Sequence, residues 1–306
     1  MSLYHHNICL CKIKSVENIA LMKISIIITT HNNPEYLKRV LDGFLHQCVM
    51  PDEIVVADDG SKPETRNVVQ AFSSTSPFPV LHSWQPHAGY PRLTHTRNLA
   101  TRHSSGDYLV YIDGDCVPGP SFVKDQQQLA KPGWYVQGKR NFVTSKGLLG
   151  FTGSESAIKQ MQLWFRGCLE KLHLTLRIPG LATSQKGIHG TRGCNIAAFR
   201  KDIININGWD QNYIGFWRED SDFVLRLIRS GVRRKNALFS AVVFHLEHAT
   251  KDHDEDMKRN TALLEKAKTG PIQVANGLFT PEEMKLLEQG IEEHQLPNFS
   301  SYQKTA

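Results

Sequence analysis

Tyr108-Leu109-Val110-Tyr111-Ile112-Asp113-Gly114-Asp115 is an apolar run that closes on two carboxylates one residue apart. A short continuous apolar run rich in β-branched and aromatic residues reads as a strand buried on both faces, as in a parallel sheet. In an open parallel sheet, ligands bind beyond the carboxyl ends of the strands, which is where these acids fall. Hard oxygen ligands at that place suit Mg²⁺ or Mn²⁺, cations that commonly share one or two carboxylates with a substrate's phosphate oxygens. Asp-Gly-Asp also forms plain turns, so the flanking sequence must decide between the two readings.

Working outward, residues 24–30 and 53–57 repeat the same strand type, each ending in polar or acidic residues. Between them Asn33 can cap a helix with Pro34 in its first turn, and Leu37, Val40, Leu41, Phe44 and Leu45 recur at helical spacing. Helices predicted over 65–72 and 92–103 supply the later crossovers, with a Ser/Pro loop at 73–79. The pattern is doubly wound α/β, a mainly parallel sheet with flanking helices. Further on it predicts a strand or hairpin within 133–153, a long helical stretch over 154–176 and a loop at 185–193. A strand at 195–199, a helix at 221–230 closed by Gly231 and a strand at 241–245 follow. From Lys251 the chain is charged and helical, and Thr280-Pro281-Glu282-Glu283 is a helix start. The expected division is an unassigned extension over 1–21, a main domain over 22–250 and a helical C-terminal extension over 251–306.

The 306 residues carry a formal charge of +6 with Lys and Arg scattered, apart from Arg233-Arg234-Lys235, so no nucleic-acid-binding tract is present. Cys9, Cys11, Cys48, Cys116, Cys168 and Cys194 show no Cys-X-X-Cys pairing, which argues against zinc and for reduced thiols in a cytoplasmic protein. No segment approaches the roughly 20 apolar residues of a spanning helix. Residues 1–21, polar and bearing His5 and His6, fit nothing that follows, and Met22 stands directly before the first strand as an alternative start. Met161, Leu163, Trp164, Phe165, Leu169, Leu172, Leu174 and Leu176 lie among Lys159, Arg166, Lys171 and Arg177. Core packing is the first reading of that stretch; an interfacial helix touching a membrane is the second.

Asp58-Asp59-Gly60-Ser61 ends the second strand much as the acidic triplet ends the third, and Thr29 to Asn33 ends the first. Further along come Arg97-Asn98, Gly193-Cys194-Asn195, Gly208-Trp209-Asp210, Gly215-Phe216-Trp217-Arg218-Glu219-Asp220 and His245-Leu246-Glu247-His248. This ordered set, from about Lys23 to His248, resembles the family 2 inverting glycosyltransferases of the GT-A fold, with a galactosyltransferase-type C-terminal module. The resemblance implies a UDP-sugar donor, a glycan or lipid-linked glycan acceptor, and transfer of a hexose or N-acetylhexosamine in polysaccharide or lipopolysaccharide assembly. It places Thr29, His31, Asp58 and Asp59 around the nucleotide base, Arg97 beside them, and Gly193, Asn195 and Trp217 on the donor. It implies that Asp115, joined by Asp113 and by His245 as a third ligand, holds Mn²⁺ or Mg²⁺ against the diphosphate. Residues 245 and 248 would face opposite sides of an extended strand, which leaves His248 as the alternative ligand.

Inversion needs one carboxylate to take the acceptor's proton. Asp220 is the choice for that base, because a helix N-terminus favours its ionised form, and Glu219 for an acceptor contact; both also suit plain first-turn acids. Trp209 and Trp217 can pack against a sugar or fill the core, with core the first reading for Trp209. The loops at 87–92 and 185–192 can close over a bound diphosphate. Two other enzyme or binding classes remain. A nucleotidyltransferase lacks support because Thr30-His31-Asn32-Asn33 stands where a Gly-rich, Lys-bearing loop belongs. A non-catalytic nucleotide-sugar or glycan-binding module of the same fold would not require the Glu219-Asp220 pair.

Overall fold

The computed structural model describes residues 22–249 and 254–296. The N-terminal extension over 1–21, with its alternative start, lies outside the described residues.

β1 (Ile24–Thr30) is buried along its whole length, and α1 (Pro34–Phe44) follows it at once. Asn33 caps that helix by accepting the Tyr36 amide, Pro34 sits in the first turn where no amide is required, and Leu37, Val40, Leu41 and Phe44 face inward. β2 (Glu53–Asp58), α2 (Pro63–Ser73), β3 (Val80–Trp84), α3 (Leu93–His103) and β4 (Tyr108–Asp113) complete two further crossovers. The four strands are parallel in the spatial order β3-β2-β1-β4. Strand order therefore reverses between β1 and β4, which opens a crevice at their carboxyl ends. Register brings the polar ends level there, with Thr29 opposite Asp113 and Thr30 opposite Asp58.

Beyond β4 come β5 (Cys116–Pro118), α4 (Phe122–Leu129), β6 (Trp134–Gln137) and β7 (Lys139–Val143). β6 and β7 do not form a hairpin: Gly138 divides them between two sheets. Its amide donates to the Asn195 carbonyl, and an added Cβ would lie 2.2 Å from the Asn195 amide. The expected long helix over 154–176 is also broken. α5 (Ala157–Phe165) stops before Gly167, whose φ is +70°, and the chain re-enters as a bridge from Leu169 to Val143 and a 3₁₀ turn at Leu172–Thr175. The stretch divides between the two readings: Leu163 and Trp164 pack against the core and Leu169 and Leu174 are buried, while Ile158, Met161 and Phe165 are exposed.

β8 (Ala182–Gln185), β9 (Asn195–Phe199), α6 (Arg200–Asn205), α7 (Glu219–Arg229), β10 (Arg233–Ala237) and β11 (Val242–Leu246) finish the main body. β9 enters antiparallel beside β4, and the large sheet reads β3-β2-β1-β4-β9-β6-β10-β8. A three-stranded sheet, β5-β11-β7, stands beside it. Ile26, Ile28, Val110 and Ile112 face one apolar layer, while Ile27, Leu109 and Tyr111 face another containing Trp209 and Phe223. Trp209 is wholly buried and stacks on Phe223 at 3.9 Å, in the core position expected of it.

α8 (Asp254–Ala267) and α9 (Pro281–Glu288) follow, the latter opened by a Thr280–Glu283 capping box. Both are tied to the main body. Arg102 on α3 donates to Glu283 at 2.6 Å in a buried pair, and Asn207 bonds the carbonyls of Val274 and Phe279. Among the described residues, no helix is long and apolar enough to cross a membrane.

Candidate active site

The crevice at the β1–β4 switch collects the functional side chains, and Arg97 is its centre. It projects from α3, is almost fully buried, and lies over the Trp209 ring at 4.6 Å. Its guanidinium donates to Thr29 Oγ1 at 3.3 Å, to Asp113 Oδ1 at 3.2 Å and to Glu219 Oε1 at 3.3 Å. One side chain thus joins the end of β1, the end of β4 and the start of α7. Burial alone would lower the Arg97 pKa, but Asp113, Glu219 and Asp220 outweigh it and raise it.

Gly114 turns β4 toward the second sheet, and its amide donates to the Thr29 carbonyl at 2.7 Å. A Cβ there would lie 3.0 Å from that oxygen, so the tight approach favours glycine. The turn sends Asp113 and Asp115 to different neighbours. Asp113 faces Arg97, and burial raises its carboxyl to about 6 although Arg97 opposes the shift. Asp115 meets His248 Nε2 at 3.0 Å and His245 Nε2 at 3.6 Å.

Both histidines therefore reach the acid, against the expectation that only one would. β11 ends at Leu246 and the chain turns, so strand alternation no longer governs residue 248. Burial lowers the His245 pKa, while the hydrogen bond that His248 donates to Asp115 raises His248 to about 9. The two histidines hold Asp115 below its ordinary range even though burial works the other way. Asp115, His245 and His248 place their ligand atoms within 4.8 Å of one another, and His245 Nδ1 is buried without a partner. One carboxylate and two imidazoles suit Mn²⁺ better than Mg²⁺, which prefers oxygen throughout.

Glu219 and Asp220 open α7, at the helix N-terminus where the sequence reading sets the pair. Burial, reinforced by Asp220, raises Glu219 to about 7 against the pull of Arg97. Asp220 Oδ2 accepts the Gly193 amide at 3.0 Å, and a Cβ on Gly193 would lie 3.3 Å from Asp220 Cβ. The loop before α7 is strained: Trp217 and Arg218 hold φ of +76° and +70°, which costs about 1–3 kcal/mol for each non-glycine residue. Asn260 on α8 steadies it by donating to the carbonyls of Ile214, Phe216 and Trp217 at 2.9–3.1 Å. Asp256 Oδ2 accepts the Phe216 amide at 3.2 Å, in space that a Cβ on Gly215 would fill. Trp217 itself is about half exposed beside the acids.

The expected base-binding residues divide. His31 stacks on His87 at 4.6 Å, and both Nδ1 atoms donate to the Asp59 carbonyl. Asp59 accepts from Gln85 at 2.6 Å and from the Arg92 amide at 2.8 Å, beside His31 and His87. Asp58 bonds His82 at 2.8 Å and the Ser61 amide at 2.8 Å instead. Asn195 is not brought into the crevice: its buried amide bonds the Lys139 and Ala241 carbonyls and Gln126, joining the two sheets to α4. Asn260 and Asp256 were not legible as contributors. Their only signal is the Gly215 and Arg218 backbone they support, fixed by contacts some 40 residues apart.

Residues 25–204 match the Glycosyl transferase family 2 profile, and residues 181–249 match the one described as N-terminal domain of galactosyltransferase. The chain is 27% identical to chondroitin synthase of Escherichia coli over 250 residues, covering 76% of this chain and 36% of that protein. Hyaluronan synthase of Pasteurella multocida is 23% identical over 251 residues, 76% of this chain and 25% of that protein. The chain thus spans about a third or less of these relatives. The crystal structure of Staphylococcus aureus TarS 1-349 with UDP-GlcNAc superposes with a TM-score of 0.57 at 16% identity, covering 93% of this chain and 76% of that one, which establishes a shared fold. With more than half of its length matched by the family profile, the chain belongs to glycosyl transferase family 2.

Proposed function

We propose that the protein carries out a metal-dependent, inverting transfer of a hexose or N-acetylhexosamine from a UDP-sugar to a glycan hydroxyl. The reaction would belong to polysaccharide or lipopolysaccharide assembly. The observation that carries this reading is Arg97, which ties the donor-side acid Asp113 to the acid pair opening α7. That arrangement supports a donor-side acid and a candidate base sharing one crevice. The names of the relatives support a polysaccharide product, and the TarS complex supports a UDP-sugar donor.

Asp115, His245 and His248 would hold Mn²⁺, with Mg²⁺ the weaker fit. When bound, the ion neutralises negative charge on the departing diphosphate. Thr29, His31 and Asp59 line the nucleotide end, with Asp58 behind them. Gly193 lies against Asp220, and Asn195 acts on the donor only through the strand it anchors. Asp220 takes the acceptor hydroxyl's proton, favoured as an ion by the α7 N-terminus. Arg97 holds Glu219 for the acceptor contact, and exposed Trp217 offers a face for a sugar ring. Free thiols at Cys48, Cys116, Cys168 and Cys194 support a cytoplasmic setting. Exposed Ile158 and Phe165 beside Lys159 and Arg166 support contact with a membrane bearing a lipid-linked acceptor.

The test is UDP release and sugar transfer from a panel of UDP-sugars with Mn²⁺, Mg²⁺ or chelator, for wild type, Asp115→Ala and Asp220→Asn. The expectation is Mn²⁺-dependent turnover of one donor, abolished in Asp115→Ala and reduced about 10²–10⁴-fold in Asp220→Asn with donor binding kept. Donor binding without turnover in the wild type under every metal would replace the enzyme by a binding module.

A further inference from the structure

A second cluster of ligand atoms lies next to the acidic triplet and differs in chemistry from the first. Asp113, Cys116 and Cys194 each place one ligand atom within 4.8 Å of the other two. They come from three backbone segments that the fold locks together. Asp113 closes β4, Cys116 opens β5 one residue beyond the Asp-Gly-Asp turn, and Cys194 stands immediately before β9, whose first residue pairs with Ile112 on β4. We propose that these three residues form a thiophilic cation site, selective for Zn²⁺ or Cd²⁺ over Mn²⁺ and Mg²⁺.

The donor set decides the metal class. Two soft thiolates joined by one hard carboxylate make a set that zinc-like ions accept, whereas Mn²⁺ and Mg²⁺ favour oxygen throughout. Zinc–ligand lengths of about 2.3 Å to sulfur and 2.0–2.2 Å to oxygen place ligands of a tetrahedron about 3.6–3.8 Å apart, against ligand atoms that here lie within 4.8 Å of one another. Ligation releases the two thiol protons to solvent and leaves a net single negative charge on the filled site. Arg140 is placed to offset it, since its Nη1 donates to Cys194 Sγ at 3.8 Å. Both sulfurs are buried, while the Asp113 side chain remains about a third exposed to the crevice and gives an entry path. Three protein ligands would leave the fourth tetrahedral position to water. An ion here engages Asp113, which otherwise faces Arg97, so occupancy suppresses donor use. That consequence rests on the proposed transfer reaction; the site itself does not.

The test is titration of the full-length protein with Cd²⁺, read as thiolate-to-cadmium charge-transfer absorption in the ultraviolet. The expected result is a band saturating at one equivalent, lost in Cys194→Ser and in Cys116→Ser and retained in His245→Ala, with thermal melts confirming that each variant is folded. Absence of the band in the wild type overturns the proposal whatever the variants do. So does a band that survives in folded Cys194→Ser, since other thiols then supply it. The absorption needs no turnover, so it stands or falls separately from the transfer assay. If turnover is found, Zn²⁺ should inhibit wild type and spare Cys194→Ser; equal inhibition of both removes the regulatory consequence.

Discussion

Glu219 is held at about 7 by burial and by its neighbour Asp220, while its reference value is 4.5. The folded state therefore binds that proton more tightly than the unfolded chain does. This contribution to stability is complete below the unfolded pKa and is lost as pH rises through the folded one. Wild type should melt at progressively lower temperature between about pH 5 and about pH 8, and Glu219→Gln should show a flatter profile over the same range. Calorimetry of the two proteins checks this, and parallel profiles would place the pH dependence elsewhere. Asp113 moves in the same direction, so Glu219→Gln removes part of the slope. Arg97 retains Asp113 in that variant and is not left as an unpartnered buried charge.

The loop ahead of α7 owes its shape to α8. Asn260 is buried and binds three carbonyls of that loop with one amide group. Asn260→Ala should cost about 1–3 kcal/mol in chemical denaturation by leaving those carbonyls without their donor. It should also lower kcat while KM for the donor changes little, because the acids lose their aim and the nucleotide end is untouched. Equal loss of stability with unchanged kcat would make Asn260 a structural residue alone. At this scale sequence pattern is informative only where contacts are local. The strands β1, β2 and β4, the helices between them and the Asn33 and Thr280 caps follow from residues within one or two turns of each other. The break in the predicted 154–176 helix follows instead from Leu169 bridging Val143, and His248 reaches Asp115 because β11 ends early. Asn195 follows the family pattern for a donor residue, yet the packing of two sheets engages its amide.

Across the whole molecule, polar and apolar surface are unevenly distributed. Leu149, Ile158, Phe165, Leu176 and Ile178 are exposed between β7 and β8, with Lys146, Lys159 and Arg166 exposed among them. Apolar side chains alternating with cations suit the boundary of an anionic lipid surface. The protein should float with phosphatidylglycerol vesicles and less with phosphatidylcholine ones, and Phe165→Asp combined with Ile158→Asp should abolish flotation while leaving the fold intact. Sedimentation of wild type away from anionic vesicles would leave this face without a lipid role. Within the large sheet β1, β2 and β4 were legible because each is a buried apolar run, whereas β3, a partly exposed edge strand, carries no such run and was not. The second sheet was not, since β5, β11 and β7 join segments about a hundred residues apart. The bonds from Asn260 to residues 214–217 also have a meaning in time. Chains grow from the amino end, and domains form as units during synthesis at about 5–20 residues per second. A nascent chain released into solution only as far as β11 already carries every acid of the crevice, but not the helix that fixes the approach to two of them. The approach to Glu219 and Asp220 therefore gains these three bonds only when the segment around residue 260 has emerged from the ribosome.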